Sequence, residues 1–176
     1  RKLGYARRAP IYDEVYLRPE RQADLRWLQA AVPAWLTGRR ALEMACGTGF
    51  WAQFIAPAAA SMVATDAAAE PLAFARLRPG VQGVAFRRTD AYARPAARVG
   101  FDAAFAGLRL SHVPVGRRRM FLDGMHARLV PGARVVLIDN TDAQCARLPI
   151  AERDAEGNTY QMRVLPDGST HRVLKN

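Results

Sequence analysis

The chain has 176 residues and a formal net charge of +10. One domain of this length can bury a single core, and two cysteines, Cys46 and Cys145, supply neither a disulfide framework nor a metal-ligand spacing. No apolar run approaches the ~18 residues of a membrane span, so we expect a cytoplasmic protein without a membrane segment. The basic residues are mostly scattered arginines without an aromatic-interleaved track, which argues against nucleic-acid binding.

Residues 1–37 are predicted to form a helical cap that precedes the core. Apolar residues recur at helical spacing over Pro19–Val32, and Pro19 suits a helix start. Pro33 lacks the backbone N–H that a helix interior needs, so we expect the helix to end there.

Three tyrosines stand before this helix: Tyr5, Tyr12 and Tyr16. Aromatic side chains in such a segment can close over a ligand as a lid and form a wall of its pocket. Packing against the core explains them equally well. Both interpretations remain open.

Residues 38–140 alternate short apolar runs with helical stretches, which predicts a doubly wound α/β core, a mostly parallel sheet with helices on both faces. The predicted strands are Ala41–Ala45, Ser61–Thr65, Val84–Arg88, Phe101–Ala106 and Arg134–Ile138. The predicted helices are Phe50–Ala56, Ala69–Leu77 and Val115–Leu129, the last ended by Pro131-Gly132.

Residues 141–176 break this pattern. Two alternating runs, Thr159–Leu165 and Ser169–Leu174, are joined by Pro166-Asp167-Gly168, which is typical of a β-hairpin. We therefore expect an irregular segment followed by a hairpin that acts as a flap.

The most informative segment is 41–51, where a short apolar strand leads into a glycine turn and then a helix. Gly47 and Gly49 allow a ligand to approach the backbone closely. Glu43 lies inside the apolar strand, where a carboxylate is costly unless a polar or cationic group pairs with it. These features predict a nucleotide-cofactor site.

This segment resembles the first motif of class I S-adenosylmethionine-dependent methyltransferases. The matching residues are Glu43, Ala45, Cys46, Gly47, Thr48 and Gly49. The resemblance implies a Rossmann-like fold, S-adenosylmethionine as methyl donor and S-adenosylhomocysteine as product. The same glycines also satisfy the looser dinucleotide fingerprint, with Ala52 as its third small residue, so an NAD(P)-binding oxidoreductase stays open.

Acidic residues at two further strand ends favour the methyl donor. Asp66 ends the second strand, where a carboxylate can accept hydrogen bonds from both ribose hydroxyls, with Ala67 beside it. In the family that the chain resembles, an acid placed like Asp90 accepts from the adenine amino group and the backbone after it, here Ala91, contacts the ring. A nicotinamide fold has no regular need for an acid at that position.

The resemblance extends over about residues 38–139. Phe101–Gly107 resembles the fourth strand of the family, which places Ala106 beside the transferred methyl. Leu129–Ile138 resembles the helix-end turn and fifth strand. The family fold continues with a helix and two edge strands that do not fit in the remaining residues, so we expect the chain to be incomplete at its C-terminus.

The acceptor side is less well marked. His112, just after strand four, is a candidate general base, although a histidine bonded to backbone is the simpler interpretation. Arg109 lies in the same loop and is a candidate for the substrate pocket. Asp139-Asn140 could hold a divalent cation, but the partner acid expected after strand four is missing, so we predict no metal.

The sequence therefore predicts an S-adenosylmethionine-dependent methyltransferase that acts on a small molecule. Two alternatives remain, the NAD(P)-binding oxidoreductase and a non-catalytic module that binds a cofactor or a partner.

Overall fold

A computed structural model describes residues 13–96, 99–164 and 167–176 of the chain. Its centre is a five-stranded sheet in the order β3-β2-β1-β4-β5, in which every neighbouring pair is parallel. The strands are β1 (Arg40–Met44), β2 (Ser61–Asp66), β3 (Val84–Arg88), β4 (Phe101–Gly107) and β5 (Leu129–Ile138). The parallel sheet predicted from the sequence is confirmed.

Helices connect these strands. They are α1 (Gln22–Leu36), α2 (Ala52–Ile55), α3 (Ala69–Ala75), α4 (Arg118–His126) and α5 (Asp142–Cys145). Residues 13–17 are also helical, and 3-10 turns lie at Pro19–Arg21, Leu110–His112 and Val115–Arg117. None of the helices in these ranges has the length and apolar character needed to cross a bilayer.

Side chains alternate along each strand, so both faces of the sheet carry apolar residues, and helices pack on both. On one face Ala41 of β1 packs in a cluster with Leu36 and Ile55 from α1 and α2. On the other face Leu42 packs in a cluster with Phe121 of α4. The fold is therefore doubly wound, as predicted.

The strand order reverses between β1 and β4. The chain adds β2 and β3 on one side of β1 and then returns to add β4 and β5 on the other. In open parallel sheets a crevice forms at this switch point, beyond the carboxyl ends of the strands. The loops after β1 and β4 border that crevice.

The prediction that Pro33 ends the first helix was wrong. Helix α1 runs through Pro33 to Leu36. Val32 and Leu36 are fully buried in the core beneath it, so tertiary packing offsets the hydrogen bond that proline removes. The Pro33 carbonyl still accepts from Thr37 Oγ1 at 3.0 Å.

The predicted boundary between the fourth helix and strand five was also wrong. The helix ends at His126, and β5 begins at Leu129, which pairs with Phe101 of β4. The Pro131-Gly132 turn, with Gly132 at φ +76°, interrupts the strand instead of ending the helix, and the register shifts at that point. Helices α2 and α3 are likewise shorter than predicted.

The C-terminal hairpin is confirmed and gains a short third strand. The antiparallel sheet contains β6 (Glu152–Arg153), β7 (Thr159–Val164) and β8 (Thr170–Leu174). It is joined to the loop after β4, because Asn176 donates its backbone N–H to the Ser111 carbonyl at 2.9 Å and its side-chain amide to Val113. Within the described residues β5 pairs with β4 alone, and the hairpin does not extend the parallel sheet.

Candidate active site

The loop after β1 is a tight turn in left-handed backbone. Ala45, Gly47 and Gly49 have φ of +56°, +55° and +72°. A Cβ on Gly49 would lie 2.8 Å from that of Ala75, so only glycine lets the loop pack against α3. A Cβ on Gly47 would meet nothing within 4 Å, which leaves its backbone open to a ligand.

Glu43 is buried beneath this loop. The residue is only 2% exposed, and its side-chain oxygen Oε2 has no hydrogen-bond partner within the described chain. Burial raises the pKa of Glu43 well above its ordinary value, and the nearby charge of Asp66 raises it further. A buried acceptor without a donor indicates that a ligand supplies one.

Asp66 and Asp90 lie at the ends of the neighbouring strands β2 and β3. The Asp66 carboxylate accepts from the backbone N–H groups of Gly47 and Ala68, each at 2.9 Å, which ties it to the glycine loop. Each of its oxygens keeps a lone pair. Asp90 accepts from the Tyr92 N–H at 2.9 Å and is otherwise exposed. Ala67 and Ala91 follow them directly.

A cavity of about 700 Å³ opens beyond the carboxyl ends of β1 and β4. One side contains Glu43 and the loop residues 45–48. Much of the remaining lining, here called the far wall, comes from residues 14–21, 140–148, 161–164 and 171–175. A single space therefore joins the glycine loop to the C-terminal hairpin.

Backbone strain also concentrates at this cavity. Among the described residues, two non-glycine residues have left-handed backbone, Ala45 at φ +56° and Leu108 at φ +53°. Both line the cavity, at the ends of β1 and β4. Conformations of this kind are costly and cluster at functional sites.

The N-terminal segment is held against the glycine loop. Asp13 accepts from Thr48 Oγ1 at 2.6 Å and forms an ion pair with Arg78. Tyr16 stacks on Phe50 with ring centroids 3.7 Å apart and lines the cavity. Of the three tyrosines singled out in the sequence, the structure brings Tyr16 to the site, and Tyr5 and Tyr12 lie outside the described residues.

His112 lines the cavity at the end of the loop after β4. Its Nδ1 lies 2.8 Å from the Leu174 carbonyl oxygen, and because a carbonyl only accepts, Nδ1 carries the proton. Burial lowers the pKa of His112 to about 4, and the neighbouring charge of Lys175 contributes to the shift. The imidazole is therefore neutral near pH 7, with its Nε2 lone pair free of the backbone bond.

The sequence analysis did not anticipate the bonds that join Ser111, Asp139 and Lys175 beside His112, nor the arginines that line the cavity. Ser111 donates its N–H and Oγ–H to the two oxygens of Asp139, each at 2.7 Å. The buried Lys175 donates to Ser111 Oγ at 2.6 Å. No motif marks Lys175, which reaches the loop only because the hairpin folds back.

Other predicted residues lie away from the open part of the cavity. The Ala106 side chain is buried in the cluster that includes Phe121, and Arg109 does not line the cavity. Cys46 lines it, but burial raises the pKa of its thiol, so the thiol is unreactive. In the described ranges, no group of three or more His, Cys, Asp or Glu side chains could hold a metal ion.

The fold and the site together define a class I methyltransferase. A doubly wound sheet carries a glycine loop at its switch point. A buried acid with an unpartnered oxygen lies beneath this loop, and further acids lie at the ends of β2 and β3. Residues 41–132, more than half of the chain, match the family model described as a methyltransferase domain. The chain belongs to this family and is an S-adenosylmethionine-dependent methyltransferase.

Solved structures agree with this assignment. The structure described as the DhpI-SAM-HEP complex is 30% identical, with a TM-score of 0.73, over 98% of this chain and 78% of that one. The DhpI-SAH complex is 28% identical, with a TM-score of 0.75, over 98% of this chain and 76% of that one. The comparisons therefore favour the methyl donor over the nicotinamide cofactor that the glycines alone left open.

A more distant structure shares the fold alone. The N-methyltransferase NodS from Bradyrhizobium japonicum WM9 is 17% identical, with a TM-score of 0.61, over 89% of this chain and 97% of that one. A search of curated protein sequences found no significant match.

Proposed function

We propose that this methyltransferase acts on a small-molecule acceptor that binds in the 700 Å³ cavity between the glycine loop and the hairpin. The observation that carries the proposal is the continuity of this space. Glu43 and Gly47 line one side, and His112 and the far wall line the rest. A cavity of this size is typical of small-ligand sites.

The donor site is built from the residues around the glycine loop. Glu43, with its unpartnered oxygen, would accept from the donor's ammonium group, and the open backbone at Ala45–Gly47 would lie beside it. Asp66, next to Ala67, would hold the ribose hydroxyls, and Asp90 with Ala91 would hold the adenine. The buried acceptor and the open glycine fit such a ligand. When bound, S-adenosylmethionine supplies a methyl group on a sulfonium, which is already an activated leaving group.

The three parts of the chain would have different roles in binding. Residues 38–140 would hold the donor, residues 1–37 would cover it through the Asp13 and Tyr16 contacts, and residues 141–176 would form most of the far wall. Methyl transfer is a displacement in which the protein mainly aligns the nucleophile and excludes water. A cavity closed from both ends of the chain serves both purposes.

His112 is the candidate general base. With Nδ1–H donated to Leu174, Nε2 can accept a proton from an acceptor hydroxyl or amine as its bond to the methyl carbon forms. The pKa of about 4 makes His112 a weak base, so its contribution would be small unless the acceptor is itself acidic. The same lone pair can instead orient the acceptor.

Donor binding and turnover test this proposal separately. Calorimetry with S-adenosylhomocysteine and with NAD(H) measures which cofactor binds. A panel of small acceptors with labelled donor then measures turnover. In His112→Asn the side-chain amide can still donate a hydrogen bond to the Leu174 carbonyl, so donor affinity should be unchanged. Turnover should fall about tenfold, less than the ~10²–10⁴ that general bases typically contribute, because a base with a pKa of about 4 is weak. The exposed His126→Asn is the matched control and should leave both unchanged.

Two results would contradict the proposal. Tight NAD binding without product binding would replace the donor site with a nicotinamide site. Donor binding without turnover across the panel would leave a non-catalytic module. Equal turnover in His112→Asn and the wild type would remove His112 from the chemistry and leave the cavity assignment in place.

A further inference from the structure

Positive charge concentrates on the far wall. The cationic side chains that line it are Arg18, Arg21, Arg147, Arg163 and Lys175. The carboxylates that line the cavity are Glu14 and the buried Glu43. Because burial raises the pKa of Glu43, the acids on the cavity surface do not balance these cations.

Two of the five cations have a carboxylate partner. Arg147 forms an ion pair with Glu20, and Lys175 Nζ lies 4.0 Å from Asp139 Oδ1. Within the described residues, Arg18, Arg21 and Arg163 form no ion pair. Arg21 donates instead to the neutral side-chain amide of Asn140, at 2.6 Å.

The residues of this sequence outside the described ranges add no counter-charge. Residues 1–12, 97–98 and 165–166, which lie outside the described ranges, contain no Asp or Glu. All 16 acidic residues of the sequence are therefore in the part that the structure describes. The imbalance belongs to the cavity itself.

These cations are also partly removed from water. The Nε atoms of Arg21 and Arg163 are buried without a hydrogen-bond partner in the described chain. Burial lowers the pKa of both guanidinium groups, and the positive charge of Arg18 lowers both further. Buried charge without a partner is costly, so the arrangement indicates that an anion binds there.

The methyl donor does not satisfy this charge. S-adenosylmethionine carries a sulfonium, an ammonium and a carboxylate, so it brings a net positive charge into the same cavity. Even if its carboxylate reached one arginine, the other cations would stay uncompensated. The anion is then expected from the second ligand.

We propose that the acceptor carries an oxyanionic group, a carboxylate or a phosphoryl group, held on the far wall by Arg18, Arg21 and Arg163. The inference rests on the proposed acceptor cavity and specifies the chemical class of its ligand. A guanidinium fork matches the paired oxygens of either group. Anchoring that end on the far wall orients the rest of the acceptor toward the glycine loop.

Anion binding to the product-loaded protein tests the proposal without a known acceptor. Protein saturated with S-adenosylhomocysteine is titrated with inorganic phosphate and with acetate, with chloride keeping the ionic strength constant. Calorimetry should detect binding of at least one of them. Arg163→Gln and Arg18→Gln should each weaken that binding about tenfold, because charge-assisted bonds to the anion are lost.

Arg147→Gln is the matched control, since it removes a far-wall arginine whose charge is already paired with Glu20. Its anion affinity should stay within about twofold of wild type, because exposed pairs contribute little. The S-adenosylhomocysteine affinity should be unchanged in all three variants.

The outcomes separate the two proposals. Phosphate binding alone assigns a phosphoryl group, acetate binding alone assigns a carboxylate, and binding of both supports the shared oxyanion chemistry. No anion binding beyond that of chloride, or an equal loss in Arg147→Gln, overturns the anionic acceptor while normal product binding keeps the donor site. A loss of product affinity in Arg163→Gln would mean that the cation serves the donor carboxylate, which also overturns it.

Discussion

The two sides of the cavity are built in different ways. The donor side comes from one contiguous segment, in which strand β1, the glycine turn and helix α2 follow each other within residues 40–55. The far wall is assembled from the N-terminal segment, α5 and the C-terminal hairpin, which lie far apart in the chain. Local geometry defines the first side, and long-range docking defines the second.

The charges of the two sides differ as well. The donor side has the acid Glu43 in the cavity lining, and Asp66 and Asp90 lie outside that lining at the ends of β2 and β3. The far wall presents Arg18, Arg21 and Arg163, which form no ion pair within the described residues, and Arg147, which is paired with Glu20. This difference in charge would help to place a cationic donor and an anionic acceptor in different parts of one cavity, and a bimolecular transfer gains from such positioning.

The largest expected effect is at Glu43. Glu43→Gln should weaken product binding by about 3–5 kcal/mol, the range for breaking a buried charge pair, as measured by calorimetry. The ligand-free variant should at the same time be more stable than wild type near pH 7. The unfolded chain loses the Glu43 proton above about pH 4.5, whereas the raised pKa keeps it in the folded protein, so wild-type stability falls as pH rises.

The stability difference between Glu43→Gln and wild type should therefore shrink toward zero near pH 4. Urea unfolding at several pH values measures it. A variant that is less stable than wild type at every pH would contradict the interpretation that the Glu43 carboxyl is protonated and lacks a hydrogen-bond partner.

The next largest effect is expected at His112. The pKa of His112 is about 4 in the folded protein and 6.5 ordinarily, so the unfolded chain binds a proton first as pH falls. Stability should decline between about pH 6.5 and pH 4, by about 3 kcal/mol in total. Unfolding curves across this range should show the decline in wild type and a flatter profile in His112→Asn. Identical profiles would show that His112 is solvated in the folded protein.

A smaller effect is expected at Asp66. Asp66→Ala should cost about 1–3 kcal/mol of product affinity, because it removes charge-assisted acceptors for the ribose hydroxyls. Calorimetry measures the loss. Asp66→Asn keeps one oxygen acceptor for the Gly47 N–H and should fall between alanine and wild type. An unchanged affinity in the alanine variant would take Asp66 out of the donor site.

The smallest effect is at Ala45, where left-handed backbone is held by a residue with a side chain. Ala45→Gly relieves that strain but raises the conformational entropy of the unfolded chain. The net change should be a stabilisation below about 1 kcal/mol. Ala64→Gly, in the ordinary strand backbone of β2, is the control and should destabilise by about 0.5–1 kcal/mol or more. Equal losses in both variants would mean that the Ala45 conformation is not strained.

The sequence by itself determined the parallel sheet and the donor loop. Periodicity located β1 to β4 within a residue or two, because buried strands are short apolar runs bounded by turn residues. Glu43 stood out because a carboxylate in such a run conflicts with burial. These features are local, so neighbouring residues are enough to predict them.

Tertiary structure alone decided where α1 ends and what the far wall contains. Pro33 stays inside α1 because the core buries Val32 and Leu36, a contribution that helix propensity does not include. Arg163 and Lys175 had no motif; Lys175 reaches the loop after β4, and Arg163 the cavity, only when the hairpin docks through Asn176. Contacts between residues so distant in the chain depend on packing, and single-sequence patterns carry no record of them.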